Sequence, residues 1–274
     1  MAAEGLADTI RGTFSADSAA GIRGAEGRRA IGKVEGTDGM EKLLEQLTAK
    51  LKQALDERLR SIVLYGSGAG GSRDKWSDFN VFCVVDAVDR EALGAAEPVI
   101  RWWREQSQPS PLLMGEREVK ESTDCFAIEF HDMLERREVL YGPDPIAGLE
   151  IDDSFYRAQV EHELRAKLIR LRQKAASAMV DQELLIRLMG ESVSTFLVLG
   201  RHALRLSGRQ APFVKREIAA ALEEAFGTDS RPFYTLLSLR EGALKLRQSE
   251  AGKLFDGYVS SIEAVVAAVD AMEK

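Results

Sequence analysis

The sequence predicts an α/β (α+β) first half followed by an all-helical second half, on three observations. Two short apolar runs bounded by turn residues, "SIVLY" at 61–65 and "FNVFCVV" at 79–85, read as buried strands. A leucine-rich amphipathic stretch precedes them. From about Asp153 onward no strand pattern survives, and apolar residues recur at helical spacing through the rest of the chain. The composition shift near residue 150 sets the expected organisation. Residues 1–39 form a disordered N-terminal extension, 40–150 an α/β domain with a short mixed sheet flanked by helices, and 151–274 a helical bundle.

The N-terminal extension is rich in Gly, Ala, Ser and charge and has no sustained apolar period. Leu43, Leu44, Leu47, Leu51, Leu55 and Leu59 then trace one helix face to about Arg60. After the two strands, residues 90–106 look helical except for Pro98. A proline inside a helix costs about 3 kcal/mol, so two shorter helices are expected, the second carrying Trp102 and Trp103. "PLLM" (111–114) reads as a weak strand, and "DCFAIEF" (124–130) as a better one with Glu129 in its middle. In the second half, Val160, Leu164, Leu168, Leu171 and Ala175 mark one helix. A longer one runs from Leu184 to Leu206 and is closed by Gly208. Further helices are expected at about 212–226, 231–248 and 251–273.

The net charge of −7 weighs against a partner as basic-loving as a long nucleic acid. No apolar run approaches the ~20 residues that span a bilayer, and no secretory signal pattern opens the chain. Cys83 and Cys125 both sit in apolar, strand-like runs, and read as buried free thiols of a cytoplasmic protein rather than a disulfide or a zinc site.

The chemistry concentrates in "YGSGAGGSRDKWSDFNVFCVVD", 65–86. A P-loop needs Lys followed by Ser or Thr after its second glycine, and "GSGAGGSRDK" has no such pair. Gly66, Gly68 and Gly71 fit G-x-G-x-x-G, but a parallel crossover needs a dozen residues or more, usually a helix. Only about seven polar residues, "SRDKWSD", separate Gly71 from the next strand. The second strand is therefore expected to run antiparallel to the first, which disfavours a dinucleotide fold.

What fits is a Gly-Ser pair after a strand, followed by Asp78 and Asn80 at the opening of the next. Residues two apart on a strand point to the same face, so both side chains can approach one ion. This arrangement resembles the nucleotidyltransferase superfamily of the DNA polymerase β type, especially the two-domain bacterial antibiotic and minimal nucleotidyltransferases. The resemblance extends to "DCFAIEFHDMLERREVLYGPDP" and to the helical half, roughly residues 40–274.

The resemblance implies transfer of a nucleoside monophosphate from an NTP, ATP first among them, to an acceptor, with release of pyrophosphate. It implies Mg²⁺, or Mn²⁺, held by Asp78, Asn80 and Glu129, with Asp78 and Glu129 catalytic. Gly66, Ser67 and Arg73 would hold phosphates. Lys167, on a basic stripe with Arg170 and Lys174, would reach the nucleotide from the helical domain. The acceptor is a small molecule or a macromolecule. One position departs from the family: Asn80 stands where a second acid is expected. An amide can ligate Mg²⁺ but adds no charge. The alternative is therefore a weakened or inactive relative that binds nucleotide in a regulatory role. Asp132, three residues beyond Glu129, would face the other way if the strand continued.

Overall fold

The computed structural model describes residues 37–69, 79–244, 247 and 250–272. The expected disordered extension lies almost entirely outside them. The described chain divides into two units. One runs to Thr123 and takes in Glu129–Glu150, and the other comprises Asp124–Ile128 and Ile151 onward.

The first unit is built on a four-stranded mixed sheet of order β3-β2-β1-β4. Helix α1 (Thr37–Leu55) leads to β1 (Leu59–Tyr65) through one tight turn, so Leu59 opens the strand instead of ending the helix. Strand β2 (Asn80–Val85) runs antiparallel to β1, with Tyr65 opposite Asn80 and Val63 opposite Phe82. The antiparallel pairing is the one the short polar connection requires. Helix α2 (Arg90–Glu105) follows, and β3 (Leu112–Gly115) then pairs parallel with β2. Short α3 (Glu116–Glu121) and α4 (Ala127–Glu135) lead to β4 (Arg137–Tyr141), antiparallel to β1 with Tyr65 opposite Arg137.

The strand period of two sorts the sheet into two faces. Ile62, Leu64, Val81, Cys83 and Val85 pack with the α1 leucines and with Ala92, Ala96, Val99 and Trp103 of α2 in one core. Tyr65, Asn80 and Phe82 point to the other face, where Phe82 meets Phe130 of α4 edge to face, centroids 6.4 Å apart.

Three expectations in this half are corrected. Helix α2 is continuous across Pro98. Gly94, four residues earlier, and Pro98 are both exposed, so the carbonyl that loses its partner faces water, while four buried residues on the other side hold both halves to the sheet. The 124–130 run is not a strand: Ala127 onward is helical. Phe126, Ile128 and Phe130 mimic strand alternation, but burial of Ala127, Phe130 and Met133 follows the helical period. Cys125, expected buried, is exposed. Cys83 is buried, and burial pushes its thiol up to about 12.

The second unit is a bundle of α5 (Tyr156–Ala176), α6 (Gln182–Leu206), α7 (Lys215–Phe226), α8 (Arg231–Arg240) and α9 (Ala251–Asp270). The apolar stripes of α5 and α6 form its centre. Tyr258 of α9 lies edge-on to both Phe196 and Phe233, a geometry that aromatic quadrupoles favour. Gly208, at φ +71°, closes α6 as expected: its N–H bonds Arg205 C=O and the Arg209 N–H bonds Leu204 C=O. His202 is a packing residue, its Nδ1 2.7 Å from the Tyr156 hydroxyl. No described helix of the chain is long and apolar enough to cross a membrane.

Candidate functional site

Gly66 takes the chain out of β1 at φ +70°, a left-handed conformation that costs an L-residue about 1–2 kcal/mol. A Cβ there would lie 3.3 Å from Asn80 Nδ2. Glycine is thus favoured by the left-handed turn, and a Cβ there would also crowd the Asn80 amide. The Gly66 N–H is committed to the Arg136 carbonyl at 3.1 Å. Gly66 therefore shapes the turn rather than offering its own N–H to a phosphate, and any backbone donors come from Ser67 onward. Ser67 follows within the same tight turn, Gly66–Ala69.

Asp78 and Arg73 lie outside the described residues. The strand that Asp78 precedes is held firmly. The Phe79 N–H donates to Gln108 Oε1 at 3.1 Å, and the Phe79 ring packs on Trp103, centroids 6.2 Å apart. Trp103 in turn donates its indole N–H to the Pro109 carbonyl at 2.9 Å. At the far end of β2, Arg58 binds Asp86 at 3.1 Å and Asp89 at 2.8 Å. Its hydrogen bond, with that of the Ala92 N–H, holds the Asp89 carboxyl down at about 2. Trp102 and Trp103 are packing residues, and Gln108 is a positioning contact that nothing in the local sequence pattern signals.

The acids lie on α4. Glu129 and Asp132, three residues apart, share one flank of the helix. Both are half-buried. Tyr65 lies between Asn80 on β2 and Arg137 on β4, on the sheet face that α4 covers. Burial drives its phenol above the usual range, and the negative charge of Glu129, then of Asp132, pushes it further. The helical period thus corrects the expectation for Asp132: it stands beside Glu129 instead of facing away. The structure brings Gly66, Asn80 and the Glu129 flank to the same sheet face around Tyr65.

Lys167 belongs to α5 of the second unit, with its ammonium 3.5 Å from Glu163. Among the described residues no group of three His, Cys, Asp or Glu is arranged to hold a metal. Of the expected ligands, Asn80 is an amide and Asp78 is not described. The described oxygen donors, the Asn80 amide and the Glu129 and Asp132 carboxylates, are hard groups of the kind Mg²⁺ and Mn²⁺ prefer.

No family model and no curated protein matches the sequence. Among solved structures, the spectinomycin adenyltransferase AAD(9) from Enterococcus faecialis, in complex with ATP and spectinomycin, matches with a TM-score of 0.56 and 13% identity. The match covers 84% of this chain and 99% of that one. Likeness at this identity shows the fold alone: this chain shares with that adenyltransferase a mixed α/β first half and a helical C-terminal half, the fold the sequence led one to expect.

Proposed function

We propose that the protein is a metal-dependent nucleotidyltransferase, moving a nucleoside monophosphate from an NTP, most simply ATP, to a hydroxyl of a small acceptor. The observation that carries this reading is the convergence of the Gly66 turn, Asn80 and the Glu129 flank on one sheet face around Tyr65. It occurs within a fold shared over 84% of the chain with an enzyme solved in complex with ATP and spectinomycin. Spectinomycin or another hydroxyl-bearing small molecule is accordingly the first acceptor to try.

In this reading Asp78, Asn80 and Glu129 would hold Mg²⁺ or Mn²⁺. When bound, such an ion neutralises the charge that develops on the transferring phosphoryl group. Ser67 and Arg73 hold the outer phosphates, and the Gly66 turn sets their distance from β2. Glu129 takes the proton of the acceptor hydroxyl. The freed oxygen attacks the α-phosphorus in line, the bond from that phosphorus to the bridging oxygen breaks, and pyrophosphate leaves. Asp132 adds negative charge on the same flank. Lys167 is kept as a phosphate contact from the helical unit, though the scheme does not depend on it.

Asn80 favours a second reading, a relative that binds nucleotide and no longer turns it over. Both are tested by incubating the protein with α-labelled ATP, Mg²⁺ and a panel of hydroxylated acceptors beginning with spectinomycin. The first reading expects label on an acceptor and pyrophosphate released. It also expects loss in Asp78→Ala and a fall of about a hundredfold or more in Glu129→Gln. Bound ATP with no transfer to any acceptor selects the second reading. Neither binding nor transfer would overturn both.

A further inference from the structure

We propose that Arg137 is a positioning residue of this site, holding the acid-bearing helix α4 in register with the Gly66 turn. What is positioned rests on the nucleotidyltransferase reading, whereas the clamp itself is geometric. The last carbonyls of a helix have no partner within it. At the end of α4, Arg137 Nη1 donates to the carbonyls of Leu134 at 3.0 Å and Met133 at 3.3 Å. The charge also suits the negative end of the helix dipole. The other edge of the guanidinium grips Asp144: Nε donates to Oδ2 at 2.9 Å, and Nη2 lies 2.8 Å from the same oxygen. Asp144 accepts from the Ile146 N–H as well, at 3.0 Å.

The turn that carries Asp144 is fixed to the start of β1. Ser61 Oγ donates to the Pro143 carbonyl at 2.6 Å. Gly142 sits at φ +74°, so close to β1 that a Cβ would fall 1.9 Å from the Arg60 carbonyl oxygen. The end of β1 is tied to the same junction. Gly66 donates to the Arg136 carbonyl at 3.1 Å, and the Arg136 N–H donates to the Asp132 carbonyl at 3.0 Å. The junction of α4 and β4 is thus fastened to both ends of β1, and the Arg137 guanidinium ties it to the turn that carries Asp144. Helical geometry makes this matter: a slip of one residue turns every side chain of α4 by about 100°, enough to carry Glu129 and Asp132 off the Tyr65 face. Arginine suits the task because its planar fork can meet a carboxylate and two carbonyls at once, which the point charge of lysine cannot.

The test uses the full chain and two readouts, hydrogen exchange of backbone amides and calorimetry of ATP with and without Mg²⁺. In Arg137→Gln, exchange across 129–135 should rise about tenfold or more, with α2 unchanged. The gain in ATP affinity that Mg²⁺ confers should fall about tenfold, as it does when supporting contacts of a metal site are lost, and Arg137→Lys should fall between. If Arg137→Gln does not fold, Asp144→Asn loosens the same clamp from its other side and should show the same two changes, smaller. Unchanged exchange in α4 would overturn the proposal. So would an ATP affinity that drops equally with and without Mg²⁺, because a merely structural role gives that pattern. If the natural protein shows no Mg²⁺-dependent binding, the functional reading fails, and the exchange result still decides whether Arg137 holds α4.

Discussion

Asn80 is the residue on which the proposed activity turns. Its amide lies against the Gly66 turn, and it opens β2 on the face that also carries Tyr65. The site thus has an amide where another carboxylate would add a full charge. Two unit charges about 4 Å apart interact by roughly 1 kcal/mol in water and about 4 kcal/mol at an effective dielectric of 20. Asn80→Asp should therefore lower the Mg²⁺ concentration for half-maximal ATP binding by at least about tenfold, measured by titrating Mg²⁺ at fixed ATP. An unchanged or higher requirement would place position 80 outside the metal's reach. The residue scale also shows the limit of motif reading. Gly66 and Asn80 were legible because a strand-turn-strand spacing fixes both. Asp132 was misplaced because the six residues around Glu129 satisfy two periods, and only the burial of Ala127 and Met133 decides between them. Gln108 carries no local signal, since its partner Phe79 is distant in sequence, and the contacts of Arg137 with Met133, Leu134 and Asp144 form only once α4 ends and the chain turns after β4.

At the scale of elements, β1, β2, β3 and most helices follow directly from apolar periodicity, while β4, α2, α3 and α4 do not. Helix α2 survives Pro98 because its cost falls on the solvent side: Pro98 and Gly94 are exposed, whereas Ala92, Ala96, Val99 and Trp103 are buried. Burying an apolar side chain contributes about 1.5–3 kcal/mol, so a single face of this kind outweighs the proline. Pro98→Ala restores the missing N–H and removes the ring from the path of the Gly94 carbonyl. It should stabilise the first unit by about 1–3 kcal/mol, read as a higher urea midpoint with unchanged slope. A lower midpoint would mean that the proline is already accommodated and that its restriction of the unfolded chain is the larger effect.

At the scale of the whole molecule, the division of labour was visible as a change of period. Alternating runs give way to helical spacing near residue 150, and the two units of the structure have separate apolar cores. The sheet topology was legible from one number, the length of the polar connection after Gly71, because it is too short for a parallel crossover. The acceptor was not legible, since it depends on contacts that no spacing rule encodes. The central claim is that the face of Gly66, Asn80 and Glu129 binds a nucleotide through a metal. Calorimetric titration of ATP, with and without Mg²⁺, on the natural protein and on Asp78→Ala tests it most directly. Binding that requires Mg²⁺ and disappears in Asp78→Ala is the expected result. Folded protein that binds no ATP under either condition, or binds it equally well without Mg²⁺ and without Asp78, would contradict it.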